Sequence, residues 1–285
     1  MKKSFYKVKL GAVIMLLVTL VSCQKEFDSP RPQEEVNSSD DVLLSKSKLD
    51  ITFYALAEGS KLHKLNSDEP ERIRKSITIT GLQPGENIRA IDFRPATGQL
   101  YGVGSTNRLY VINLNSGVAT MIGTEPFTPA LEGNLIGFDF NPTVDRIRIV
   151  TNTGQNLRLN PENGKVAFED GDINGASGAM IAAVAYTNSM AGAAATTLYD
   201  IDVSQRKLYK QDPPNEGRLV EVGSLNLKIA GEGGFDIEAK RNKGLAIFKV
   251  DDRPTLFSVD LNNGNTKVLA RYPKNRKYAG IAIPT

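Results

Sequence analysis

The sequence predicts an all-β protein, a β-propeller of five four-stranded blades, and three observations lead to this prediction. A short strand-like unit recurs about every 47 residues, a second unit recurs in phase with it, and two further strand-like runs complete each period. Four short strands per period of this length are typical of a propeller blade. Beyond residue 22, no long segment shows the 3.6-residue periodicity of an amphipathic helix.

The first repeated unit contains a small or apolar residue, an apolar residue, Asp or Ala, and a second apolar residue. Its third positions are spaced by 47, 46, 51 and 46 residues. The copies are Ala90-Ile91-Asp92-Phe93, Gly137-Phe138-Asp139-Phe140, a degenerate Ala183-Val184-Ala185-Tyr186, Gly234-Phe235-Asp236-Ile237 and Gly280-Ile281-Ala282-Ile283. This spacing indicates that the unit opens every repeat at the same place.

The second unit is a leucine followed by a large side chain, and it leads into an Asn or Asp and, in most copies, a glycine turn. These are hairpin signals between β-rich runs. The copies are Leu62-His63, Leu109-Tyr110, Leu157-Arg158, Leu208-Tyr209 and Leu256-Phe257. Strand-like runs precede this unit, as at Leu100–Gly104 and Leu198–Asp202, and others follow its turn, as at Val118–Gly123 and Lys267–Arg271.

The two ends of the repeat region complement each other. Residues 51–82 supply three strands without an opening unit, and Ala279–Pro284 is an opening unit with nothing after it. We therefore predict that the C-terminal strand joins the N-terminal blade and closes a ring of five blades. Closure of this kind leaves no unpaired sheet edge at the seam, where an open edge would favour aggregation.

The first 22 residues are typical of an export signal, because four lysines precede an apolar run from Leu10 to Val21 that is too short for a spanning helix. The segment Leu20-Val21-Ser22-Cys23 resembles the lipobox of bacterial lipoproteins. The resemblance implies cleavage before Cys23 and a diacylglycerol on its sulfur. The alternatives are an ordinary signal peptide with a chance cysteine, or a short anchor helix. As the only cysteine, Cys23 excludes an internal disulfide framework or a thiolate metal cluster.

Residues 1–22 also account for the apparent basicity of the chain. The formal net charge is +3, and removal of the four lysines of this segment leaves −1. The remaining charge gives no reason to expect a nucleic-acid partner. We divide the chain into a signal peptide (1–22), a flexible polar tether (23–48) and a propeller domain (49–285).

The expected location is the cell envelope, with the membrane as a partner through lipidated Cys23. The segment Cys23–Asp28 resembles the short acidic signals that send lipoproteins of Bacteroidetes-type bacteria to the cell surface. This resemblance implies the outer membrane and exposure at the surface.

Several longer segments resemble a bacterial family built on a domain of unknown function. They are Gly137–Pro142, Asp145–Val150, Thr153–Pro161, Ala183–Asn188 and Thr196–Asp202. The resemblance spans about residues 51–285 and implies a secreted or lipid-anchored propeller-like protein. It carries no catalytic residues over to this chain.

The inner-strand aspartates Asp92, Asp139 and Asp236 are the candidate catalytic residues. Carboxylates that converge on the axis of a propeller could act as acid and base in glycoside hydrolysis, or as oxygen ligands for calcium. Alternatively, a repeated aspartate satisfies backbone groups at the same place in each blade. Repetition favours this structural role, because a catalytic acid and base need different environments.

Two further groups of side chains are candidates for binding. Arg146, Arg148 and Arg158 could receive an anionic ligand, although ion pairs with Asp139 or Asp145 are favoured.

Asp170, Asp172 and Asn174 match the first half of a calcium loop, but Ile181 replaces the bidentate acid that should complete it. A polar turn between blades is therefore the favoured interpretation of this segment, with calcium as the alternative cofactor.

His63, the only histidine, rules out a multi-histidine metal site, and its repeat slot holds Tyr110, Arg158, Tyr209 or Phe257 elsewhere. We expect it to fill space. With Cys23 lipidated, no cysteine nucleophile remains. The first functional hypothesis is therefore a non-catalytic binding or scaffold module for an unidentified envelope ligand or protein. The second is an envelope hydrolase, of the glycosidase type, that uses the inner-strand carboxylates.

Overall fold

The computed structural model describes residues 49–285, which form five four-stranded antiparallel sheets. The predicted signal peptide (1–22), Cys23 and the tether (23–48) lie outside the described residues. Each sheet is one blade, with its inner strand at the axis and its outer strand at the rim. The predicted five-bladed propeller is confirmed.

The strands follow the repeat along the chain, and each blade begins with its inner strand at the axis and ends with its outer strand at the rim. Blade 1 contains β20 (Tyr278–Ala282), β1 (Thr52–Ala57), β2 (Lys61–Asn66) and β3 (Lys75–Thr78). Blade 2 contains β4 (Ile88–Phe93), β5 (Leu100–Gly104), β6 (Leu109–Ile112) and β7 (Ala119–Ile122). Blade 3 contains β8 (Ile136–Asn141), β9 (Arg146–Thr151), β10 (Asn156–Leu159) and β11 (Val166–Glu169). Blade 4 contains β12 (Ile181–Tyr186), β13 (Leu198–Asp202), β14 (Lys207–Gln211) and β15 (Leu219–Ser224). Blade 5 contains β16 (Ile229–Glu238), β17 (Lys243–Val250), β18 (Arg253–Val259) and β19 (Thr266–Arg271).

The Asn and Asp residues that mark the repeats form the turns before the outer strands. In blade 2 the side chain of Asn113 accepts hydrogen bonds from the backbone N–H groups of Asn115 and Ser116. Gly117 completes this turn at a φ of +80°, where a Cβ atom would lie 2.0 Å from the carbonyl oxygen of Thr78. A glycine is therefore required by both the backbone conformation and the close approach of the neighbouring blade.

The closing strand joins the two chain ends as predicted. Strand β20 pairs antiparallel with β1, with Ala55 opposite Ile281 and Tyr54 opposite Ala282. It also lies beside the inner strands β4 and β16 of the adjacent blades, so it completes the ring.

The small residue that opens the repeat unit permits the inner strands to approach closely. A Cβ atom at Gly137 would lie 2.8 Å from the backbone nitrogen of Val184, and one at Gly234 would lie 2.5 Å from that of Ile281. Both distances are too short for a side chain, which explains glycine at these positions.

Five buried apolar clusters fill the spaces between adjacent blades. The cluster between blades 3 and 4 has few members, because buried polar side chains occupy part of that interface. Arg148, Asn156 and Asp200 are each at most 1% exposed there. Within residues 49–285, no helix has the length and apolar character that crossing a lipid bilayer requires.

Candidate functional site

The structure brings Asp92, Asp139 and Asp236 together at the axis. They lie at equivalent positions of β4, β8 and β16, and each is only 2–3% exposed. One carboxylate oxygen of each lies within 4.8 Å of the others. Alanine takes this position in the other two inner strands, at Ala185 and Ala282. We call the three aspartates the axial triad.

Each member of the axial triad accepts a hydrogen bond from the backbone of the next blade. Asp92 Oδ2 accepts from the N–H of Phe140 at 2.8 Å, and Asp139 Oδ1 accepts from that of Tyr186 at 3.2 Å. Asp236 Oδ2 accepts from the N–H of Ile283 at 2.6 Å. The donor always lies 47 or 48 residues further along the chain, on the neighbouring inner strand or, for Ile283, directly after it. The carboxylates therefore link adjacent blades.

Two other carboxylate oxygens of the axial triad accept the backbone N–H groups that the blades with alanine leave without a carboxylate. The blade before Phe93 has Ala282 at the triad position, and the blade before Ile237 has Ala185 there. No aspartate of the preceding blade therefore reaches the N–H of Phe93 or of Ile237. Each N–H donates to the aspartate of its own strand instead. Phe93 donates to Asp92 Oδ1 at 2.7 Å.

Ile237 likewise donates to Asp236 Oδ1, at 2.6 Å. Five of the six triad oxygens thus accept a backbone N–H, and only Asp139 Oδ2 has no such bond among the described residues. This pattern supports the interpretation that the repeated aspartates satisfy backbone groups.

Burial and mutual repulsion make the axial triad reluctant to ionise. Burial raises the pKa of Asp236 to about 7. The pKa of Asp92 is raised by burial and by the charge of Asp236, and that of Asp139 by burial and by the charges of both others. Hydrogen bonds from the backbone oppose these shifts. The folded state therefore favours the protonated form of these carboxyl groups more than water does.

The axial triad does not form the open acid and base pair that glycoside hydrolysis requires. Retaining and inverting enzymes hold their carboxyl groups about 5–9.5 Å apart around a bound sugar. The axial space lined by the inner-strand residues just before the triad has a volume of only about 10 Å³, roughly that of one water molecule, and no triad aspartate lines it. Calcium takes six to eight oxygen ligands, whereas most oxygens of the triad are already bonded to the backbone.

A larger cavity opens where the inner strands begin, at the end of the axis away from the triad. It has a volume of about 450 Å³ and receives residues from all five blades. We call it the axial pocket. Its lining is Glu58, Gly59, Asn87, Ile88, Arg89, Asn134, Leu135, Ile136, Ala182, Glu232, Gly233, Lys249, Lys277, Tyr278 and Ala279.

Irregularities in the inner strands shape the axial pocket. The pairing of β4 with β5 shifts between Ile88 and Ala90, so Arg89 is an inserted residue. Equivalent shifts occur at Ala182 in β12, at Gly231 and Glu232 in β16, and at Ala279 in blade 1. Such bulges bend a strand and redirect a side chain. Four of the five inner strands are therefore irregular at the level of the pocket.

Residues 61–282 match the family described as a domain of unknown function (DUF4394). The chain belongs to this family. The match confirms the family resemblance predicted from the sequence. No curated protein sequence matches the chain.

Solved structures that align with this chain include three proteins of different kinds. A chain of the nidogen–laminin complex aligns with a TM-score of 0.42 at 13% identity, over 83% of this chain and 98% of that one. TolB from Acinetobacter baumannii gives 0.44 at 13%, over 85% and 60%. Glutaminyl cyclase from Myxococcus xanthus gives 0.48 at 11%, over 79% and 97%. Similarity at this level gives no information about ligand or activity.

In this DUF4394 protein, two of the three predicted arginines, Arg148 and Arg158, share a carboxylate at the interface of blades 3 and 4. Arg148 is 1% exposed and donates to Asp170 Oδ2 at 2.5 Å, and to side-chain oxygens of Asn156 and Asn215, each at 2.7 Å. Arg158 forms two bonds with Asp170, at 2.7 and 2.8 Å.

The predicted ion-pair partners of these arginines are wrong. Asp145 pairs with Arg94, and Arg146 donates to the backbone carbonyl of Asp145. Asp170 is the carboxylate that reaches Arg148 and Arg158, because strand β11 ends beside both guanidinium groups.

The calcium-loop candidate of the DUF4394 chain forms contacts between blades. Asp170 is held by two arginines, whose positive charges oppose a cation at the same carboxylate. Asn174 donates through its side chain to the carbonyl oxygens of Asp172 and Glu216, at 2.8 and 2.6 Å. The loop therefore docks on the 3₁₀ turn Pro214–Glu216 of blade 4, and its geometry favours a turn between blades.

His63 contacts the closing strand. Its Nδ1 lies 2.9 Å from the hydroxyl of Tyr278, and the two rings stack edge to face at 5.7 Å between centroids. Burial lowers the pKa of His63, and the positive charges of Arg276 and Lys61 lower it further. The side chain therefore packs in its repeat slot and also links strand β2 to the seam of the ring.

Sequence reasoning missed the axial pocket and the buried carboxyl group of Asp200. Asp200 is fully buried, its oxygens have no hydrogen-bond donor among the described residues, and burial raises its pKa while Arg148 opposes that rise. The only sequence signal at the pocket is Arg89, a charged residue directly before the apolar opening unit at Ala90.

Proposed function

We propose that this protein is a lipid-anchored binding module of the cell envelope, and that its ligand occupies the axial pocket. The supporting observation is the set of strand bulges at one level of the ring. Bulges of this kind occur next to functional sites, where they redirect side chains. In this propeller they lie at the pocket in four blades. A volume of about 450 Å³ lies within the range of small-molecule sites.

The polar clusters that join blades differ from the charged residues of the axial pocket, and this difference also supports binding in the pocket. The axial triad and the Arg148–Asp170 cluster use their polar atoms to join blades. In contrast, Lys249, Lys277 and Glu232 at the axial pocket form no ion pair among the described residues. Charged side chains left unpaired around a concave site are available to a ligand.

The proposed anchor rests on the N-terminal sequence. A basic start, a short apolar run and a cysteine at the end of a lipobox-like segment support lipidation of Cys23. The polar composition of residues 24–48 supports a role as the link between the lipid and the propeller domain. The outer membrane, with the propeller at the cell surface, is the location that the acidic segment after Cys23 favours.

We expect substitution Cys23→Ala to move the protein from the membrane fraction to the soluble fraction. The variant removes the sulfur that the diacylglycerol would modify. Fractionation of cells that express the wild type and the variant measures the change, and mass spectrometry of the N-terminal peptide detects the lipid. Wild-type protein in the soluble fraction with an unmodified Cys23 would contradict the anchor.

We expect an envelope component to raise the melting temperature of the wild type and to lose this effect in Asn134→Trp. Asn134 is an exposed pocket residue, and an indole there would fill the cavity without disturbing the core. Bound ligand stabilises the folded state in proportion to the logarithm of its concentration over its Kd. The measurement is thermal shift against soluble fragments of envelope polysaccharides. The control is Asn115→Trp, on the exposed turn between β6 and β7. Equal shifts in both variants would place the ligand elsewhere.

A further inference from the structure

We infer that the axial pocket selects an anionic small molecule, one that carries a carboxylate or phosphate group, and that Arg89 is its main contact. This inference rests on the proposed function, because it assigns a ligand class to the same pocket. Three observations support it: Arg89 has no ion-pair partner among the described residues, cations outnumber acids around the pocket, and buried apolar residues form the floor of the pocket.

Arg89 is a half-buried cation without a partner of opposite charge. Its side chain makes one hydrogen bond among the described residues, from Nη2 to the carbonyl oxygen of Gly133 at 3.2 Å. A guanidinium carries five N–H donors, so most of them have no hydrogen-bond partner among the described residues. No carboxylate lies within 4.0 Å of it in residues 49–285. Burial lowers the pKa of Arg89, and the charge of Glu232 only partly opposes this effect.

Three other arginines show the paired arrangement, whereas Arg108, which is also partly buried, forms no ion pair among the described residues. Each of these three arginines is strongly buried or belongs to the Arg148–Asp170 cluster, and each forms an ion pair with a carboxylate. They are Arg94, Arg148 and Arg158. A desolvated guanidinium without such a partner is costly, because burying a charge is unfavourable unless it is paired. An anion that entered the axial pocket would supply the missing partner, and its two oxygens could bind the planar guanidinium side by side.

The charges around the axial pocket favour an anion. Lys249 and Lys277 join Arg89 in the lining, and neither forms an ion pair among the described residues. Of the two acids in the lining, Glu58 is paired with Lys61 at 3.1 Å, which lies outside the pocket. Glu232 is then the one acid left to offset three cations, so the field in the pocket is positive.

The floor of the pocket strengthens this field. Buried Leu135, Ile136 and Ala182 line it, so an anion at Arg89 would sit against apolar groups of low polarisability. Electrostatic attraction is stronger in such surroundings than in bulk water. The exposed amides of Asn87 and Asn134 at the rim can donate hydrogen bonds to hydroxyl groups of the same ligand.

The test measures the Kd of three probes by calorimetry with the full-length protein in detergent. Trigalacturonate carries carboxylates, glycerol 3-phosphate carries a phosphate, and maltotriose is a neutral sugar of similar size to the first. We expect at least one acidic probe to bind more than tenfold more tightly than maltotriose. Arg89→Gln should weaken that binding at least tenfold, and added NaCl should weaken it further through screening. The acidic probe that binds identifies the group that is recognised.

The matched control is Arg271→Gln, which removes an exposed arginine from the outer strand of blade 5. It should leave every Kd unchanged. Equal binding of maltotriose and the acidic probes, lost in Asn134→Trp but not in Arg89→Gln, would overturn the ligand class and leave the pocket as a binding site. Absence of binding by all three probes would contradict both the ligand class and the proposed function.

Discussion

Deletion of residues 278–285 is expected to abolish soluble folding. Strand β20 is the inner strand of blade 1 and is flanked by β4 and β16, so its loss would open the ring at the axis. It buries Tyr278 and Ile281, and Ile283 is buried just beyond it, at about 1.5–3 kcal/mol per side chain. Together these terms approach the whole stability of a typical domain, roughly 5–15 kcal/mol.

The deletion would also leave polar groups without partners. The N–H of Ile283 bonds to Asp236, and the hydroxyl of Tyr278 bonds to His63. In addition, the strand β1 would expose an unpaired edge, which favours association between chains. Soluble yield, circular dichroism and thermal melting of the truncated chain measure the effect.

A shorter deletion provides the control. Removal of Pro284 and Thr285 alone, both exposed, should leave yield and melting temperature close to those of the wild type. A truncation at residue 277 that stays soluble and melts like the wild type would disprove the closing role of β20.

Raising the pH from 5 to 8 is expected to lower the melting temperature of the wild type through the axial triad. In the unfolded chain Asp236 ionises near its ordinary pKa of 3.8, whereas the folded protein keeps the proton up to a pKa of about 7. The unfolded state therefore releases the proton first, and stability is lost as the pH rises from about 4 to about 7. At roughly 1.4 kcal/mol per unit of pKa, Asp236 alone accounts for about 3 kcal/mol of the stability lost between pH 5 and pH 7.

Asp139→Asn should reduce the stability that the protein loses as the pH rises. The amide oxygen can still accept the hydrogen bond from Tyr186, and the change removes one of three clustered charges. We expect the variant to melt at a higher temperature than the wild type at pH 8, and at nearly the same temperature at pH 5. Melting curves by circular dichroism at the two pH values test this.

Two controls accompany this experiment. Asp252→Asn alters an exposed aspartate in a turn of blade 5 and should leave the pH dependence unchanged. His63 acts in the opposite direction, because its lowered pKa removes stability as the pH falls below 6.5, so the comparison with the variant is more informative than the wild-type curve alone.

A lower melting temperature of Asp139→Asn at pH 8 would point to a cation bound at the axial triad. If Asp139→Asn melts at a lower temperature than the wild type at pH 8, and a chelator lowers the wild-type value, then a bound cation neutralises the triad. The three oxygens within 4.8 Å would then serve as its ligands.

The fold could be predicted because its signals are local. The alternation that makes a strand, and the Asn113 to Gly117 turn that ends it, depend on residues within a few positions of one another. A period of about 47 residues then repeats these local signals, and the split of one blade between the chain ends can be read from their order.

The partners of charged residues could not be predicted in this way. Arg148 lies opposite Asp139 in the pairing of β8 with β9, yet its guanidinium reaches Asp170 at the end of β11. The direction of a long side chain depends on the packing of two blades, which the sequence of either blade does not specify. For the same reason Asp170 could be taken for part of a calcium loop.

The sequence by itself determined the five-bladed ring, the closing role of β20 and the equivalence of Asp92, Asp139 and Asp236, because repetition and spacing are properties of the chain alone. Only the tertiary structure decided what the aspartates bond to, how burial and mutual charge raise their pKa, and where the axial pocket lies. Those properties depend on distances between residues that are a full repeat apart in sequence. Close packing of the inner strands sets these distances, and bulges of a single residue, such as the one at Arg89, are enough to redirect a side chain into the pocket.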